Sequence, residues 1–183
     1  MGPRSFLKDK VILKNLVAMT YFWGGVSFGS YMISFQLKYL PGAMYANSMA
    51  SSLSEMLSYV LGGVIYNTFG IKKSFATTFL IAAVGGTMIL IWGEENPELM
   101  PIFVTLAKYG ISTGFVLVYI GTVEIFPTMF TASAFAICNF FARSLTIMAP
   151  QVAELPAPTP MVIFTLMSVI GIFATFMIDE NRK

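Results

Sequence analysis

Three charged side chains sit well inside apolar runs of this 183-residue sequence: Glu55, Lys108 and Arg143. An ionisable group near the middle of a bilayer costs several kcal/mol unless it faces protein or water, so such groups mark ion pathways, paired charges or ligand sites. The chemistry they offer is ion recognition rather than bond-making. The sequence contains no histidine, which removes Ser-His-Asp and Cys-His catalysis, imidazole metal sites and histidine proton relays. A single cysteine, Cys138, leaves no internal disulfide and no thiolate metal cluster. No nucleophile–base pair or metal constellation is visible. The expectation is a chain without catalytic residues, metal or cofactor.

The elements that must carry these charges are six apolar stretches: Leu13–Leu37, Tyr45–Phe69, Phe75–Trp92, Pro101–Phe126, Ala132–Val152 and Met161–Ile178. Each approaches the roughly 20 residues that a helix needs to cross the hydrocarbon core. A hydrophobic content of 56% with 11% charged residues points the same way. The fold class expected is all-α, polytopic and membrane-embedded, with the lipid bilayer as solvent. Reading the loops alternately puts Arg4, Lys8, Lys10, Lys14, Lys72, Lys73, Arg182 and Lys183 on one side. The other side has Lys38 and the acidic loop from Glu94 to Glu98. Lys/Arg bias in short loops sets topology, so both termini are expected in the cytoplasm. Residues 1–12 would then be a cytoplasmic lead-in and 179–183 a cytoplasmic tail. Met1–Lys10 is too polar for the apolar stretch of a cleavable signal. The net charge of +2 comes with no basic patch interleaved with aromatics, so nucleic acid is not an expected partner. Prolines 41, 97, 101, 127, 150, 156, 158 and 160 mostly mark span ends. Three spans, a short acidic loop and three more spans permit a three-plus-three reading, the way transporter halves are often built.

Polar residues inside the spans narrow the candidates. Ser48, Ser51, Ser52, Glu55, Ser58 and Tyr59 recur at spacings of three and four and so share a helix face. Glu55 then either lines a cavity or is held by a partner inside a small-residue interface. Lys108, about two turns into the fourth span, either snorkels toward the acidic loop or belongs to a pathway. Arg143 lies deep in the fifth span between Phe141 and Leu145. Its guanidinium must meet a carboxylate such as Glu55, backbone carbonyls or an anionic ligand. Tyr31 and Tyr119 are candidate walls for a pocket.

At the end of the fourth span, Thr122-Val123-Glu124-Ile125-Phe126-Pro127-Thr128 resembles the acid-x-x-Pro-Thr motif between helices ten and eleven of major facilitator transporters. The nearest branch is that of organic cation, anion and carnitine transporters, with their synaptic-vesicle-glycoprotein-like relatives. Ser27-Phe28-Gly29-Ser30-Tyr31 resembles the aromatic segment of helix seven, and Glu55 falls at the position of the acid in helix eight. Asn67-Thr68-Phe69-Gly70-Ile71-Lys72-Lys73 is similar to the Gly-basic-basic turn that follows it. Lys108 matches a basic position of helix ten, Asn139-Phe140-Phe141-Ala142-Arg143 the Ala-Arg segment of helix eleven, and Glu180 the acid of the closing Pro-Glu motif. Nearly the whole chain takes part, and it resembles the second half of that fold, helices seven to twelve.

The resemblance implies a six-helix lobe of a secondary transporter that works by alternating access on a small organic ion. Substrate would meet Arg143, Glu55, Tyr31, Tyr119 and Lys108. Contacts at Gly70, Lys72, Lys73, Glu124, Pro127, Thr128 and Glu180 would break and remake as the gate. Arginine at position 143 implies an organic anion or a zwitterion, with Glu55 serving a cationic end. The chain departs from the pattern at Ile71, Thr131 and Asp179, where the family tends to place a basic residue, a basic residue and a proline. Glu124 and Glu180 thereby lose an expected ion-pair partner at 131. A single lobe cannot close around a substrate, so the partner implied is an N-terminal six-helix lobe of the same protein or a second chain. The alternative from another class is a non-transporting membrane protein that uses the lobe for interaction or trafficking.

Overall fold

A computed structural model describes residues 10–179. Glu180 and most of both expected tails lie outside the described residues. The elements run α1 (Lys10–Gln36), α2 (Met44–Trp92), a 3-10 turn (Pro97–Leu99), α3 (Met100–Ile125), α4 (Thr128–Thr146), α5 (Ala149–Ala153), α6 (Thr159–Ala174) and a closing 3-10 turn (Thr175–Met177). Among the described residues there is no strand, and five helical stretches are long and apolar enough to cross a membrane. Helices satisfy their own backbone groups, which lipid cannot do.

The two separate spans expected over 45–69 and 75–92 form as two limbs of one 49-residue element, α2, with the break at Gly70 alone rather than across 70–74. The first turn of its second half takes in Ile71–Ser74, so the element is broken only at Gly70, with φ 73° and ψ 169°. That region of backbone space is open essentially to glycine alone. The chain reverses there. Along residues 44–69, contacts climb together with α3: Ser58 meets Tyr109, Gly62 meets Val116 and Tyr66 meets Glu124. Along residues 71–92 they run the other way, with Ile71 and Phe75 beside Gly121, and Thr78 and Ala82 beside Gly110. The first limb is therefore parallel to α3 and the second antiparallel. At Gly110 a Cβ would collide with the backbone nitrogen of Ala82 and come within 2.6 Å of the Thr78 carbonyl. Small residues at such crossings let membrane helices approach closely enough for dispersion contacts to hold them.

Aromatic rings fill the core between α1 and the second limb. Phe22 stacks on Phe75 at 4.5 Å and tilts against Phe79 at 5.5 Å. Trp23 is buried, donates to Thr122 Oγ1 at 3.0 Å, and packs edge-on to Tyr119 and Phe135. The expected fifth span, Ala132–Val152, forms as two helices instead. It starts at Thr128, stops at Thr146, and resumes as α5 from Ala149. Pro150 has no N–H to give to the carbonyl of Thr146, so the helix cannot run through.

Two ends of the bundle follow from these contacts. One gathers the Gly70 turn, the end of α3, the start of α1 and residues 178–179, where Asn15 exchanges two hydrogen bonds with the backbone of Asp179. The other gathers the α1–α2 turn, the acidic loop and the Pro-rich link, with Lys38 Nζ 3.8 Å from Glu154 Oε1 and Gly42 against the Pro97 carbonyl.

Candidate functional site

The polar face expected on α2 resolves into two stripes. Asn47, Ser51, Ser54, Ser58 and Gly62 are buried. Ser58 Oγ sits 2.8 Å from the Ser54 carbonyl and 3.1 Å from that of Tyr109, tying the first limb to α3. This is the small-residue seam. Ser52 and Tyr59 are exposed, while Ser48 and Glu55 are half-buried. This second stripe is open, and a groove of about 560 Å³ runs beside it along Ser48, Met49, Ser52, Leu53 and Met56.

Lys108 does not snorkel. Its residue is 2% exposed, and its ammonium reaches across to α1. It donates to the Ser30 carbonyl at 3.1 Å, to Ser30 Oγ at 3.0 Å and to Ser34 Oγ at 2.9 Å. Ser34 Oγ in turn donates to the Ser30 carbonyl at 2.9 Å. An ammonium has three protons, so these oxygens account for all of them. Glu55 Oε2 stands 3.9 Å away, near enough for Coulomb attraction but beyond hydrogen-bonding reach. The partner of Glu55 is thus Lys108, and the alternative pairing of Glu55 with Arg143 is not formed.

Arg143 is exposed on α4, and its guanidinium makes no hydrogen bond or ion pair among the described residues. Tyr31 is 42% exposed on α1. Tyr119, 46% exposed, is braced by Trp23 at 4.7 Å and Phe135 at 5.6 Å, and Tyr59 lies within electrostatic range of both Tyr119 and Glu55. The structure therefore brings Glu55 and Lys108 together, sets Tyr119 against Trp23 and Phe135 instead, and leaves Arg143 and Tyr31 as open side chains on other helices. A second groove, of about 530 Å³ between α1, α4 and α6, has an apolar lining that includes Val17, Leu145, Met148 and Met167 and no charged residue.

At the Gly70 end, Tyr66 donates to Glu124 Oε2 at 2.8 Å, the place where a basic partner was missing. Thr131 is turned back on the carbonyls of Phe126 and Pro127. Lys72 Nζ lies 3.3 Å from the Ile178 carbonyl, Lys73 is exposed, Pro127 caps α4 and Thr128 is its first residue. Ser30 and Ser34 as partners of Lys108, and Tyr66 as partner of Glu124, were missed by the sequence reading. The same i, i+4 hydroxyl spacing used for α2 marks Ser30 and Ser34 on α1. Nothing in the sequence signals Tyr66.

No family model matches the chain. Similarity to individual proteins is nevertheless extended. Organic cation/carnitine transporter 2 of Homo sapiens is 24% identical over 158 residues, 85% of this chain and 28% of its own length. The chain is distantly similar to organic cation and carnitine transporters. Solute carrier family 22 member 4 of Mus musculus is 28% identical over 192 residues, covering 94% of this chain and 34% of that protein. Synaptic vesicle 2-related protein of Xenopus laevis is 26% identical over 121 residues, 66% of this chain and 22% of its own length. The chain spans about a third of the length of the curated relatives it matches. Its transporter-like, multi-span architecture agrees with these likenesses, and among the described residues no group of side chains is placed to hold a metal ion.

Proposed function

We propose that this chain is one lobe of a major facilitator transporter for a small organic ion, and that it works by alternating access beside a second six-helix lobe. In this reading the two limbs of α2 are separate spans, the chain crosses the membrane six times in a three-plus-three arrangement about the acidic loop, and both termini lie on the cytoplasmic side. The carrying observation is the Lys108–Glu55 pair: a buried ammonium beside a half-exposed carboxylate, deep in spans whose other interior charge is Arg143. Buried charge is expensive, and lipid gives no return for it. The likeness to organic cation and carnitine transporters supports the same reading.

In this reading Glu55 takes the cationic end of a zwitterion and Arg143, with its five donors unspent, takes a carboxylate. Tyr31 and Tyr119 wall the site. Gly70, Lys72, Lys73, Glu124, Pro127, Thr128 and Glu180 form the cytoplasmic contacts that change as the lobes rock. The other lobe comes from a longer form of the protein or from a second chain. The interaction-protein reading draws on the apolar faces left open, with Tyr45 87% and Met49 74% exposed on α2 and Ile147 71% exposed after α4. A partner lobe covers the same faces, so they favour company rather than loss of transport.

Uptake assays separate the two. Cells expressing the chain, alone and with candidate partners, are offered a quaternary-ammonium carboxylate, an organic anion and an organic cation. Saturable uptake of the first or second, cut at least about tenfold by Arg143→Ala and by Glu55→Gln, is expected for loss of charge-assisted contacts. Indifference of uptake to both substitutions overturns the reading.

A further inference from the structure

Four oxygens surround the Lys108 ammonium: the Ser30 carbonyl, Ser30 Oγ, Ser34 Oγ and, farther off, Glu55 Oε2. A carbonyl, two hydroxyls and a carboxylate are hard oxygen donors, the kind that hold simple cations. Three of them come from one turn of α1, which the Ser34-to-Ser30 hydrogen bond fixes in place. Ser30 and Lys108 are buried, whereas Ser34 is exposed and Glu55 half-buried, so the shell is walled by the bundle on the Ser30 side and open on the other. We propose that this shell is a monovalent-cation site whose resident is the protein's own tethered ammonium.

Two consequences follow. Lys108 fills the shell in every molecule, so binding of sodium or potassium there is blocked in the intact chain. Glu55 is the shell member that makes no hydrogen bond to the ammonium and is half-exposed, so it is the member free to respond to a ligand without unseating the lysine. The inference rests on the transport reading only in that last step, since the cage itself is testable without uptake.

The experiment compares thermal unfolding midpoints of the purified chain in detergent, in choline chloride and in sodium, potassium or ammonium chloride at equal ionic strength. The intact chain is expected to be indifferent to the cation. Lys108→Ala empties the shell, and a small cation is expected to raise its midpoint saturably, by roughly 2–4 °C at a few times its dissociation constant. Adding Ser30→Ala and Ser34→Ala to that variant is expected to abolish the rise. A Lys108→Ala midpoint that does not distinguish small cations from choline overturns the proposal, and so does a rise that persists without the two hydroxyls. Should Lys108→Ala fail to fold in every salt, Glu55→Gln decides. If α1 alone satisfies the ammonium, Glu55→Gln lowers the midpoint by less than about 4 °C. A larger fall, toward the roughly 10 °C scale for breaking a buried ion pair, shows that the carboxylate rather than the α1 oxygens holds the lysine and overturns the proposal. Absence of uptake by the intact chain together with the expected cation response of Lys108→Ala contradicts the transport reading alone.

Discussion

Lys108 gives its three protons to Ser30 and Ser34, and that fact decides how its charge is tolerated. Hydrogen bonds from a charged donor are worth about 1.5–3 kcal/mol each, and three together match the several kcal/mol that burying an ammonium costs. Glu55, at 3.9 Å, adds Coulomb attraction to these bonds without a hydrogen bond of its own. The charges themselves were legible in the sequence, because a lysine and a glutamate inside apolar runs stand out. Their pairing was not, since periodicity reports which residues share a face of one helix and says nothing about the rotation of one helix against another. Ser30 is 78 residues from Lys108. Gly70 makes the complementary case, for its place in a Gly-basic-basic turn was visible while its backbone angles were not. With φ at 73° and no atom within 4 Å of an added Cβ, its constraint is conformational rather than steric crowding. Gly70→Ala is expected to cost about 1–3 kcal/mol, seen as a lower unfolding midpoint in detergent; an unchanged midpoint would mean that the turn does not need this backbone.

At the scale of elements, α3 is the helix on which the bundle depends. It carries Lys108, packs parallel to the first limb of α2 and antiparallel to the second, and holds Glu124 in its last turn, where Tyr66 closes the contact. The crossing at Gly110 admits no side chain. Gly110→Leu is expected to separate α3 from the second limb at a cost of about 1–3 kcal/mol or more, lowering the unfolding midpoint well below that of Ser58→Ala, whose lost interhelical bond is worth roughly 0.6 kcal/mol. Equal midpoints for the two variants would contradict the close crossing. Helix existence was readable here from the apolar runs. The break near Gly70 was readable from the Gly-basic-basic turn, whereas the split at Thr146 was not, because apolar residues continue up to Pro150 and only hydrogen-bond geometry interrupts the helix there.

Seen whole, the molecule has a sealed side and an open side. Phe22, Phe75, Phe79 and Trp23 close the interior around α1, while the stripe through Ser48, Ser52, Glu55 and Tyr59 stays accessible. Transport through this lobe requires that the open stripe face water in a path between two lobes and not lipid. A reporter thiol distinguishes the two environments, because the thiolate that reacts with charged thiosulfonate reagents forms in water. Cys138 is buried, and replacing it with alanine leaves a background free of other thiols. Ser52→Cys places the reporter one turn from Glu55, and Phe173→Cys, at a position 66% exposed on α6, serves as the lipid-facing control. In native membranes, labelling by a charged reagent at position 52, slowed by a transported zwitterion and absent at position 173, is the predicted result. Silence at both positions would put Glu55 against lipid and contradict the account.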